Sequence, residues 1–190
     1  MNSPFITIVS GLPRSGTSMM MQAIEAGGMP AVTDGIRKKD VDNPRGYYEF
    51  EAVKKTKTDP SWVSGARGKV VKMVYSLLYD LPNGQEYRVV FMQREINEVL
   101  ASQKKMLART GKQGARVNDE KLAALFKTQL EKFHRWIATQ KNFSIIVIEY
   151  KEMIASPKLQ AEKVDAFLGN IINREGFVSA VDPALYRNRS

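Results

Sequence analysis

The chain contains no cysteine and a single histidine among its 190 residues. Disulfide staples, thiolate metal centres and cysteine nucleophiles are therefore excluded, and a histidine-based zinc hydrolase has no ligand set. Acidic residues are scarce beside basic ones, 20 Asp and Glu against 29 Lys and Arg, for a formal net charge of +9. That balance favours anionic partners: nucleotides, phosphate or sulfate esters, nucleic acid or an acidic membrane surface. No run approaches the roughly 18 apolar residues of a bilayer span, so no membrane span is expected. Met1-Asn2-Ser3-Pro4 brings no basic stretch before the short apolar run Phe5–Val9, which argues against a secretory leader and for a cytoplasmic location. Internal repeats, low-complexity tracts and linkers are also missing. With 43% hydrophobic and 26% charged residues, the composition is that of a globular protein, and one domain over residues 1–190 is expected.

Phe5–Ser10 is apolar and β-branched and stops at Gly11, the pattern of a buried strand. Ser15–Ala26 reads as a helix, with Met19, Met20, Ala23 and Ile24 near helical spacing and Gly27-Gly28 and Pro30 behind it. Residues 31–60 are polar and broken by Asp34-Gly35, Asn43-Pro44 and Asp59-Pro60, which predicts mostly loop with one short helix from Phe50. Further strands are expected over Lys69–Tyr75, Tyr87–Met92 and Ser144–Ile148. Helices are expected from about Asn97 to Leu107, from Asn118 or Asp119 to about Gln140, and from Pro157 to Leu168, with Gly169 past the end. The tail from Asn173 reads as irregular. The order β-α-loop-β-β-α-α-β-α predicts an α/β fold: three layers, with a mostly parallel sheet and helices on both faces.

Gly11-Leu12-Pro13-Arg14-Ser15-Gly16-Thr17-Ser18 lies between the first strand and the first helix. In that setting the helix N-terminus offers outward N–H groups and a partial positive charge to an anion. The two glycines allow a tight turn, Thr17 and Ser18 add hydroxyls, and Arg14 adds a forked cation. The G-x4-G spacing is that of P-loop NTPase-like folds. The lysine expected after the second glycine is replaced by Thr17, and the cation has moved into the loop at Arg14.

Pro13-Arg14-Ser15-Gly16-Thr17-Ser18 directly after an N-terminal strand resembles the 5′-phosphosulfate loop of the sulfotransferase superfamily, in particular bacterial sulfotransferase-like members. Arg94 at a strand end, with Ser102 on the next helix, resembles the family's 3′-phosphate pair. Asp42-Asn43-Pro44-Arg45-Gly46-Tyr47-Tyr48-Glu49 is similar to a bacterial segment, and Glu149–Pro157, continuing to Phe167-Leu168-Gly169, resembles the last strand and helix. The resemblance spans residues 5 to about 170. It implies 3′-phosphoadenosine 5′-phosphosulfate as co-substrate, with Arg14, Ser15, Gly16, Thr17, Ser18, Arg94 and Ser102 binding it. It also implies in-line transfer of a sulfuryl group to a hydroxyl or amine acceptor, a small molecule. Two features depart from the family pattern: the chain is short, and Arg174-Glu175-Gly176 is a poor match to the C-terminal basic-Gly segment, with Arg187 and Arg189 as substitutes.

Fixed cations that neutralise the donor make a metal unnecessary, so none is expected. Arg14 is expected to stabilise the leaving phosphate. The base candidates are Glu49, whose neighbours Tyr47, Tyr48 and Phe50 would keep water from it, and Asp34 close behind. His134, beside Phe133 and Trp136 on the long helix, reads more as packing than as a base. Lys72 faces either the ligand at the carboxyl edge of the sheet or solvent on an edge strand. The basic run Lys104, Lys105, Arg109, Lys112 and Arg116 reads as a lid or as a solvated face. The alternatives are a P-loop nucleotide kinase or NTPase, whose metal-holding Asp only Asp80 mimics, and a non-catalytic anion- or nucleotide-binding module. Nucleic acid is not the expected partner, because no recognition helix, RNP-like pattern or zinc finger is present. Oligomeric state is left open.

Overall fold

The computed structural model describes residues 4–36, 48–109, 111 and 118–182. Strands β1 (Phe5–Gly11), β2 (Ala31–Val32), β3 (Val70–Lys72), β4 (Glu86–Gln93) and β5 (Phe143–Glu149) form one sheet in the order β2-β3-β1-β4-β5. Every neighbouring pair is parallel. The described residues also form helices α1 (Thr17–Ala26), α2 (Ile96–Arg109), α3 (Asp119–Ile137), α4 (Tyr150–Ala155), α5 (Pro157–Leu168) and α6 (Arg174–Ser179), and 3₁₀ helices over Glu51–Lys55, Ser61–Ala66 and Tyr75–Asp80.

Parallel strands are covered on both faces, and β1 is buried along its whole length. Its side chains alternate between two cores. Phe5 and Val9 pack with Met20, Ile24, Val164 and Phe177, under α1, α5 and α6. Ile6 and Ile8 pack with Phe91, Phe133 and Ile137, under α3. Phe133 is fully buried and stacks on Phe91 with ring centroids 5.5 Å apart. Truncating such a residue to Ala costs about 3–5 kcal/mol.

Local sequence explains the helix ends. The Asn118 side chain accepts the Glu120 N–H at 3.0 Å and caps α3. Pro157 opens α5, and Gly169 closes it in the left-handed conformation at φ 90°.

Four strands are expected from the sequence, and the described residues form five. The extra strand, β2, is two residues long, too short for any periodicity to register, and is held by β3 through Ala31–Val70 and Val32–Val71. β3 ends at Lys72, not Tyr75, because Tyr75–Asp80 winds into a 3₁₀ helix. The long helix stops at Ile137, not Gln140. The tail expected to be irregular from Asn173 carries α6 instead: the Asn173 side chain accepts the Gly176 N–H at 2.9 Å, and Phe177 is buried in the core. α4 also goes unseen in the sequence, since its six residues fit between a strand and Pro157.

Candidate functional site

Loops leaving the carboxyl ends of β1, β3, β4 and β5 meet at one cleft of about 830 Å³. Open parallel sheets bind ligands there, where connections diverge to either side of a central strand. β1 is that strand: the chain leaves it for β2 and β3 on one side, then crosses to β4 and β5 on the other.

The glycine loop forms the floor of the cleft. Gly11 has φ 147°, and a Cβ there would lie 2.5 Å from the Met92 carbonyl oxygen. Gly16 is left-handed at φ 97°, and a Cβ there would lie 2.4 Å from the Tyr150 ring. Both positions therefore require glycine. The first backbone bond of α1 runs from the Met20 N–H to the Gly16 carbonyl at 3.1 Å. The N–H groups of Thr17, Ser18 and Met19 precede that ladder and stand at the positive end of the helix dipole. All three residues line the cleft.

Arg14 is left-handed at φ 72°, a conformation that costs a non-glycine residue roughly 1–3 kcal/mol. Hydrogen bonds to two other elements help hold it. Its Nε donates to Ser102 Oγ on α2 at 3.0 Å, and Arg94 Nη1 donates to its carbonyl at 3.2 Å. Arg94 is itself fixed, with Nε donating to Glu98 Oε2 at 2.8 Å. Both side chains of that pair are nearly buried, 7% and 5% exposed. The Arg94 guanidinium also lies over the Tyr150 ring at 4.4 Å, so one ring packs against both the loop glycine and the cation.

Lys72 closes the other side. β3 lies inside the sheet, so Lys72 is not an edge charge; its Nζ donates to Ser18 Oγ at 3.5 Å and lines the cleft. Glu49, Lys105 and Arg109 line it too.

Of the residues singled out in the sequence, Arg14, Gly16, Thr17, Ser18, Glu49, Arg94 and Ser102 thus share one cleft. Ser15, Asp34, Asp80, Lys104 and His134 do not line it. Ser15 turns inward: its Oγ is buried without a hydrogen-bond partner, and its N–H donates to the Leu12 carbonyl at 3.2 Å. Asp34 is exposed, and the N–H groups of Glu51 and then Ile36 hold its carboxyl below the usual carboxylate range. His134 packs edge-on against Phe91 with centroids 5.0 Å apart, and burial pushes its pKa down. Asp80 ends the 3₁₀ helix Tyr75–Asp80, whose Leu77 lines the cleft while Asp80 does not. The segment Asp42–Tyr47 and Lys112, Arg116, Arg187 and Arg189 lie outside the described residues. Among the described residues no cluster of three or more His, Asp and Glu side chains is arranged to hold a metal ion. Nor is any helix among them long and apolar enough to cross a membrane.

Glu98 and Tyr150 were not singled out as site residues. Glu98 was readable in principle: it stands four residues after Arg94 at the start of a helix, the spacing of an ion pair. Tyr150 offered no local signal, since only the sheet order brings the end of β5 beside the loop.

No family model matches the chain, and no curated protein matches it in sequence. Solved structures with a similar fold include a sulfotransferase from Alicyclobacillus acidocaldarius, at 13% identity and TM-score 0.48, covering 87% of this chain and 81% of that one. The sulfotransferase domain of the curacin biosynthetic pathway is similar at 13% identity and TM-score 0.48, over 97% and 90%. A sugar kinase from Janibacter sp. HTCC2649 is similar at 13% identity and TM-score 0.45, over 94% and 96%. Likenesses at this level concern the fold, and the functional reading has to rest on the site.

Proposed function

We propose that the chain is a sulfotransferase that moves a sulfuryl group from 3′-phosphoadenosine 5′-phosphosulfate to a hydroxyl or amine of a small-molecule acceptor. The observation that carries this reading is the link from Arg14 to Ser102. It joins the loop suited to the 5′ end of the donor to the α2 wall suited to its 3′-phosphate. The fit is one of charge and shape. Arg14, Lys72 and Arg94 gather around a helix N-terminus, in a cleft within the roughly 300–1,000 Å³ usual for ligand sites.

The donor supplies an activated sulfuryl group on a phosphate leaving group. In this reading the N–H groups of Thr17 and Ser18, with Arg14 and Lys72, hold the leaving phosphate as its charge grows. Arg94 and Ser102 hold the 3′-phosphate. Glu49 takes the proton of the acceptor as the new bond to sulfur forms. Removing one donor of this kind typically costs about 100–1,000-fold in kcat.

Thermal melting tests it, with adenosine 3′,5′-bisphosphate, with ATP plus Mg²⁺, and with oligonucleotides as separate ligands. The bisphosphate alone should stabilise the chain, by about 2.7 kcal/mol at 100 times its Kd. Stabilisation only by ATP plus Mg²⁺ would make the chain a nucleotide kinase or NTPase. Stabilisation only by oligonucleotides would make it a binding module.

A further inference from the structure

Asp34 lies outside the cleft, yet it is tied to Glu49 and to the residues that follow it. The Asp34 N–H donates to the Glu49 carbonyl at 3.3 Å, and the neighbouring Thr33 Oγ1 donates to the same carbonyl at 3.0 Å. Asp34 Oδ2 accepts the Glu51 N–H at 2.6 Å, while Oδ1 accepts the Ile36 N–H at 3.0 Å. Glu51 is the first residue of the 3₁₀ helix Glu51–Lys55, so the carboxylate caps that helix from a neighbouring segment. Val53 of that helix is buried in the core.

Asp34 can act as such an anchor because of where it stands. It follows β2 by two residues, and β2 is paired to β3, so the carboxylate extends from the sheet. Glu49 lines the cleft and has no regular element of its own. Its backbone position is set by Thr33 and Asp34 before it and by the capped helix after it.

We propose that Asp34 is a positioning residue: it fixes the backbone of residues 49–51 and thereby holds the Glu49 carboxylate at the cleft. This rests on the reading of Glu49 as the base. An ionised carboxylate can accept both backbone N–H groups at once, whereas Asn can accept through one oxygen only and Ala through none. Two carboxylates close together in sequence space thus take different tasks, one at the reacting atoms and one behind them.

Hydrogen–deuterium exchange tests the positioning without any acceptor in hand. In Asp34→Ala, amides of residues 49–55 should exchange about tenfold faster, with β1 and α1 unchanged. Unchanged exchange at 49–55 overturns the proposal. Kinetics then separates the two carboxylates. Asp34→Asn should lower kcat about 10–100-fold, as a misplaced base would, and leave the Kd for adenosine 3′,5′-bisphosphate within about twofold. It should keep the fall of kcat at low pH that Glu49→Gln removes. Among the described residues the charged groups near Asp34 include Glu49, Glu51 and Lys54, so the profile is to be compared at constant ionic strength. If Asp34→Asn abolishes the low-pH fall, Asp34 is itself the base and the proposal fails. If Glu49→Gln retains full activity while exchange at 49–55 responds to Asp34→Ala, the assignment of Glu49 fails and the anchoring by Asp34 stands.

Discussion

Arg14 Nε donates to Ser102 Oγ at 3.0 Å, joining residues 88 positions apart in the chain. A left-handed arginine in a glycine loop is thereby tied to the second turn of a helix that follows a different strand. The bond brings a cation and a hydroxyl together at one cleft. A side chain held in place in this way needs less reorganisation on binding than a loop that must order first.

Arg14→Ala should abolish the melting shift given by adenosine 3′,5′-bisphosphate. Arg14→Gly should lose the shift too but leave the free protein at least as stable as Arg14→Ala, because glycine accepts φ 72° without strain. Melting curves of both variants, with and without the bisphosphate, separate the charge from the backbone. A shift that survives either change would remove Arg14 from the site.

Glu98→Ala leaves the nearly buried Arg94 guanidinium without its carboxylate. Breaking a buried pair from one side costs about 3–5 kcal/mol. For a domain of this length that corresponds to a melting point lower by about 6–20 °C. Affinity for the bisphosphate should fall as well, since Arg94 Nη1 supports the Arg14 carbonyl. A calorimetric scan and a titration check the two effects separately.

Lys72→Met keeps the apolar stem and removes the ammonium group that reaches Ser18. If Lys72 steadies charge on the leaving group, kcat should drop about 100–1,000-fold with the acceptor KM little changed. Single-turnover rates on the variant would reveal a drop confined to the chemical step.

His134 contributes to stability with a definite sign. Burial lowers its pKa in the folded chain below the ordinary 6.5. Between those two values the unfolded chain binds more protons, so stability rises with pH there. The contribution is fully present above 6.5 and is lost as pH falls through the lower folded value. His134→Phe should flatten the dependence of melting temperature on pH below 6.5 and leave catalysis intact. An unchanged slope would mean that other groups govern the acid limb.

Much of this architecture is legible locally. β1 is a run of apolar and β-branched residues ended by Gly11, and its loop is short and contiguous, so strand, turn and helix could be read in one pass. Asn118, Pro157 and Gly169 mark helix ends because caps depend on a residue and its immediate neighbours. β2 and α6 were missed because two and six residues carry too little periodicity, and packing against β3 and α1 stabilises them instead.

The sequence by itself determined the alternating order of strands and helices, the glycine loop and the surplus of positive charge, all of which follow from composition and short-range pattern. Only the tertiary structure decided which residues meet. The order β2-β3-β1-β4-β5 places Tyr150 against Gly16, Arg94 on the Arg14 carbonyl and Lys72 beside Ser18. It also sets Asp34 and Glu49, which the sequence offers as rival base candidates with Glu49 preferred, in different surroundings. Contacts between residues tens of positions apart depend on how the sheet is ordered, and no local preference of the chain encodes that distance.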